Sequence, residues 1–176
     1  MVEMSARGHV GERAVVPALS ALAIAAIALA TWRLLERDPD AAGWAALVAG
    51  TALVLAGVLL RPDDRTARVV VSFADRAFDG CLLASLAWVT RTAEPSVAAG
   101  ALVGLAAGFL ASYIRAKGGS LGYGIEEGVV TPVLRYALFS FALLLDQTRW
   151  AIWVIATVNL LAAGVRASQV AKEERR

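Results

Sequence analysis

The chain has 176 residues, of which 59% are hydrophobic and 18% charged, with a formal net charge of +2. A soluble domain of this size is about half apolar, so the composition excludes an ordinary water-soluble enzyme. The basic residues flank apolar runs and form no single patch, so no nucleic-acid partner is expected.

A membrane-spanning helix needs about 20 apolar residues, and six runs approach that length: Val15–Leu35, Trp44–Leu60, Val69–Trp88, Val97–Ile114, Val129–Leu145 and Trp150–Val165. The expected fold is all-α, a single membrane domain over residues 1–176. Residues 1–14 form a cytoplasmic segment and residues 166–176 a cytoplasmic tail. The first run is too long for a signal peptide, and Thr31-Trp32-Arg33 is a poor cleavage site.

Basic residues favour the cytoplasmic side of a membrane. With both termini inside, the inner segments carry Arg7, Arg13, Arg61, Arg65, Arg68, Arg76, Arg115, Lys117, Arg135, Arg166, Lys172, Arg175 and Arg176. The outer loops carry only Arg33, Arg37, Arg91 and Arg149. The tryptophans Trp32, Trp44, Trp88, Trp150 and Trp153 fall at the outer ends, and Tyr113, Tyr123 and Tyr136 toward the inner ends. Such rings mark the two membrane interfaces. The excess of arginine over lysine, with much Ala and Gly, suggests a GC-rich bacterial genome; with the apolar runs, the expected location is the bacterial inner membrane.

Cys81 has no partner for an internal disulfide and is expected to be a small buried apolar residue. His9 stands in the polar N-terminal stretch with no second metal ligand near it. Gly100, Gly104 and Gly108 share one face of the fourth run, where a neighbouring backbone can come close, within the bundle or in a homodimer.

Ionisable residues inside a membrane are functional candidates. They gather in Arg61-Pro62-Asp63-Asp64-Arg65-Thr66-Ala67-Arg68 and then in Asp75-Arg76 and Asp79-Gly80. Asp75 and Asp79 share a helix face. With Asp63 and Asp64 they could hold Mg²⁺ or Mn²⁺ through oxygen, and one could serve as a general base. Equally, Asp75 and Asp79 could pair with Arg76 or Arg68 and organise the bundle. A second cluster, Ser112-Tyr113-Ile114-Arg115-Ala116-Lys117, precedes a glycine-rich loop over Gly118–Gly124, then Glu126, Glu127 and Arg135. Cations at a membrane face can bind a phosphate or a lipid head group or simply anchor the helix.

Val71-Ser72-Phe73-Ala74-Asp75-Arg76-Ala77-Phe78-Asp79-Gly80 and Ser112-Tyr113-Ile114-Arg115-Ala116-Lys117 resemble the CDP-alcohol phosphatidyltransferases, closest to the actinobacterial phosphatidylinositol phosphate and phosphatidylglycerol phosphate synthase branch. The resemblance spans roughly residues 65 to 170 and implies two divalent metals held by aspartates, a CDP-linked lipid donor, an alcohol acceptor and release of CMP. It assigns Asp63, Asp64, Asp75 and Asp79 to metal, Asp75 and Asp79 to catalysis, and Arg68, Arg115 and Lys117 to phosphate. The family motif D-x-x-D-G-x-x-A-R…G-x-x-x-D-x-x-x-D is incomplete. In one register Asp75 takes the base-like position, while Val71 and Ala67 replace a metal-binding aspartate and the motif glycine. In the other, Asp63-Asp64-Arg65-Thr66-Ala67-Arg68 mimics the first half, with Leu60 at the first aspartate and a shortened spacer.

The resemblance therefore implies a phospholipid-biosynthesis homologue with weakened or lost catalysis, paired with a copy of itself or with a related membrane protein. An active Mg²⁺- or Mn²⁺-dependent transferase is the alternative. An unrelated helical membrane protein or transporter subunit is the third reading; it would carry midplane charges and broken helices.

Overall fold

The computed structural model describes residues 2–61, 63–124 and 130–174, with side chains over 14–61, 63–124 and 132–174. His9, Glu126 and Glu127 have side chains outside the described set. The described residues form six helices: α1 (Val2–Leu35), α2 (Pro39–Leu59), α3 (Arg65–Thr90), α4 (Pro95–Ser120), α5 (Val130–Leu144) and α6 (Thr148–Glu173).

The helix ends follow local chemistry. Asp38 Oδ1 accepts from the Ala41 N–H at 3.1 Å, and Asp64 Oδ1 from the Ala67 N–H at 2.9 Å, so each caps the helix that follows. Pro39 and Pro95 open α2 and α4, where no intrahelical donor is needed. The expected glycine-rich loop starts later than its sequence suggests, because α4 runs on through Gly118 and Gly119 to Ser120. The turn comes at Gly122, whose φ of 86° suits glycine. There the Tyr123 N–H reaches back to the Gly118 carbonyl at 3.0 Å and closes the helix.

The helices close a ring in the spatial order α1, α2, α5, α6, α4, α3. Consecutive helices α4 and α5 make no contact among the described residues, because α6 stands between them in the ring. Four helices hold a stretch long and apolar enough to cross a membrane: α1 within Ala14–Leu35, α2, α4 and α6. Helix α3 has the length, but Arg65, Arg68, Asp75, Arg76 and Asp79 interrupt it. Helix α5 is apolar but short, its described apolar stretch being Pro132–Leu144. The chain is thus an all-α six-helix bundle and a multi-pass membrane protein with four candidate spans.

The core is built from small residues and a few rings. Phe78 meets Tyr136 edge-on at 4.7 Å and Phe139 at 5.9 Å, joining α3 to α5. Trp32, Trp44, Trp88 and Trp150 are exposed. The Arg33 and Arg91 guanidiniums lie over the Trp32 and Trp88 rings at 4.9 and 3.7 Å. Cys81 corrects its expectation: it is exposed, because the stripe of Phe78, Asp79 and Leu82 takes the inward face of α3.

The glycine face of α4 is used within the chain. A Cβ built on Gly104 would lie 3.7 Å from the Ala156 Cβ of α6, and one on Gly100 would lie 3.0 Å from Ile152. A homodimer would have to use another face. Disulfides require Cβ atoms about 3.5–4.5 Å apart. Gly104→Cys with Ala156→Cys, in a Cys81→Ser background, should therefore crosslink within one chain on oxidation. A crosslinked dimer on a denaturing gel would contradict this packing.

Candidate functional site

One face of α3 carries Asp75, Phe78, Asp79 and Leu82, spaced so that all four turn the same way. Asp79 is 1% exposed, and Phe78 and Leu82 are equally enclosed. Two carboxylates thus enter a largely apolar interior, where an unpaired charge would be very costly.

Two arginines meet them. Arg135 of α5 places Nη2 2.6 Å from Asp75 Oδ1 and Nε 2.7 Å from Asp79 Oδ1. Arg76 donates from Nε to Asp75 Oδ2 at 3.1 Å and holds Nη1 3.3 Å from Asp79 Oδ2. Each of the four carboxylate oxygens therefore faces a guanidinium nitrogen. The contacts to Asp79 are ion pairs without hydrogen-bond alignment, whereas those to Asp75 are aligned. The Tyr136 hydroxyl also donates to Asp75. Arg76 Nη1 donates to the Gly108 carbonyl at 3.1 Å, which brings in α4. Asn159 Nδ2 donates to the Gly104 carbonyl at 2.9 Å, tying α6 to α4 beside the cluster.

A cavity of about 330 Å³ adjoins this network. It is bordered by the C-terminal parts of α2, α4 and α6 and the N-terminal parts of α3 and α5, all at one end of the bundle. Leu53, Val54, Val58, Val71 and Val133 give it apolar walls. Its charged lining is Arg68, Arg76, Arg115, Arg135 and Arg166 against Asp75 alone. Among the described residues, Arg166 makes no hydrogen bond or ion pair. Such a chamber suits a ligand that is anionic at one end and apolar at the other.

The expected site residues separate. Asp75 and Asp79 come together, and Arg68 and Arg115 reach the same cavity. Lys117 is exposed on the last turn of α4, outside the cavity lining. Asp64 caps α3, and Asp63 is exposed in the turn before it. At about 1.5 Å per residue, roughly 16 Å of helix separates Asp64 from Asp75. Sequence reasoning named Arg76 as a partner of the aspartates; it placed Arg135 in the second cationic cluster and Tyr136 and Arg166 at the inner interface without joining them to the aspartates, and it did not single out Asn159. Two signals were present: Arg135 is the one charge in the apolar stretch of α5, and Asn159 is a lone amide in that of α6.

The pair of divalent metals implied by the family resemblance does not fit. A hard dication of this kind takes about six oxygens, several of them water, and needs carboxylates that no other cation already occupies. Here two carboxylates carry two guanidiniums, and among the described residues no three His, Cys, Asp or Glu side chains converge. Comparison with protein-family models, with curated proteins and with solved structures finds no match.

Proposed function

We propose that this chain is a bacterial inner-membrane protein, related to the CDP-alcohol phosphatidyltransferases, that holds a phosphate-bearing lipid in its arginine-lined cavity and has weakened or lost the transfer chemistry. The single observation that carries this reading is the cationic lining of the cavity: Arg68, Arg115 and Arg166 border its apolar walls in addition to Arg76 and Arg135, the two that Asp75 and Asp79 balance. Guanidinium forks match phosphate oxygens, and the walls take the first carbons of an acyl chain. A CDP-linked lipid and an ordinary anionic phospholipid share this chemistry.

Positive-inside bias supports a cytoplasmic position for the cavity end and both termini. Helices α3 and α5 then cross with the other four. Asp75, Arg76, Asp79 and Arg135 are sheltered because they face the interior of the ring, as intramembrane charges must.

The test supplies the detergent-purified protein with CDP-diacylglycerol, Mn²⁺ or Mg²⁺, and inositol phosphate, glycerol phosphate, serine or inositol as acceptor. The lipid should bind, and no acceptor-dependent CMP should appear. CMP that depends on acceptor and vanishes in Asp75→Asn would instead establish an active transferase. Charge-assisted hydrogen bonds contribute about 1.5–3 kcal/mol. Arg166→Gln should accordingly weaken retention of CDP-diacylglycerol by about tenfold or more, read by titration in detergent.

A further inference from the structure

Two carboxylates on one buried helix face require cations close by. We propose that Arg135, together with Arg76, is a resident replacement for a divalent metal, and that this guanidinium pair latches α5 to α3 beneath the cavity.

The geometry carries the assignment. All four carboxylate oxygens are already faced by guanidinium nitrogens, at 2.6 and 2.7 Å from Arg135 and at 3.1 and 3.3 Å from Arg76. Two negative charges meet two positive ones, so an added dication would leave the interior unbalanced. Arg135 is 6% exposed and Asp79 1%, so each relies chiefly on the other for charge compensation. The shape of the side chain matters as well as its charge. Nε and Nη2 of one planar group reach two different carboxylates, a fork that a single ammonium cannot reproduce. The latch extends past these helices, since Arg76 also holds the Gly108 carbonyl of α4. The floor of the cavity is thus set by folding of the chain itself, with no metal to be loaded.

This goes beyond the lipid reading and does not depend on it. Lipid binding could fail with the latch intact, and the experiment below contains no lipid ligand.

The full chain in detergent is unfolded by heat with EDTA, Mg²⁺ or Mn²⁺ present, and bound Mn²⁺ is read by electron paramagnetic resonance. The wild-type midpoint should be the same in all three, with no bound Mn²⁺. Arg135→Ala should unfold at lower temperature, and millimolar Mn²⁺ should restore part of the loss, because the vacated carboxylates can then take a hard cation. Arg135→Lys should also unfold early, since it keeps the charge and loses the fork. If Arg135→Ala does not fold at all, Asp79→Leu with Arg135→Met, which removes one charge of each sign, should recover a folded protein. Mn²⁺ bound to the wild type and lost in Asp75→Asn would overturn the proposal. So would an Arg135→Ala protein as stable as wild type, or a charge-balanced double variant that stays unfolded.

Discussion

Asp79→Ala will destabilise the protein by about 3–5 kcal/mol, the range found when one partner of a buried ion pair is removed. Asp79 is enclosed and stands against both arginines. Without it two guanidiniums share the single carboxylate of Asp75, and Arg135 stays buried with its Nε facing no anion. Asp79→Asn will cost less, about 1–2 kcal/mol, because the amide keeps the carboxylate's shape and a partial negative oxygen against the guanidiniums while the full charge is gone. Asp79→Leu with Arg135→Met will recover much of the loss, since well-packed apolar side chains can match or exceed a buried pair in stability. Unfolding in a denaturing-detergent titration reads all three. A silent Asp79→Ala would mean that water reaches the pair and screens it.

Gly50→Val will disturb the same cluster from the adjoining helix α2. A Cβ on Gly50 of α2 would sit 2.7 Å from the Tyr136 Cβ of α5. That atom is fixed to the α5 backbone, so the helix itself must move. Tyr136 donates to Asp75, and its neighbour Arg135 bridges both carboxylates, so the displacement reaches the charge network directly. Overpacking of this kind costs about 1–3 kcal/mol. Gly57→Ala is the control. It lies on the same helix with nothing within 4 Å of the added Cβ, and it should be neutral or stabilising by up to about 1 kcal/mol from helix propensity. Equal effects of the two would show that helix propensity, and not the α2–α5 contact, decides the outcome.

The relation between Asp75 and Asp79 was legible in the sequence because it is local. Their spacing fixes a shared helix face, and Phe78 and Leu82 on that stripe point it inward. Their main partner was not legible. Arg135 lies sixty residues from Asp75, and only the closing of the ring brings α5 to α3. The glycines of α4 announced a close helix contact, but which helix fills it depends on α6 folding back, with Ala156 opposite Gly104. Two local expectations also went astray. Cys81 looked buried because its neighbours are apolar, but in a membrane bundle apolar residues cover the outside as well. Gly118 and Gly119 looked like loop, yet the closure at Gly122 carries the helix past them.

The most direct test of the account is native mass spectrometry of the protein released from membranes of mixed phospholipids, with EDTA present throughout. One phosphate-bearing lipid should stay bound to each chain without metal and be lost in Arg166→Gln. A chain that carries no lipid, or one that holds it only when Mn²⁺ is supplied, would contradict a metal-free lipid-binding cavity.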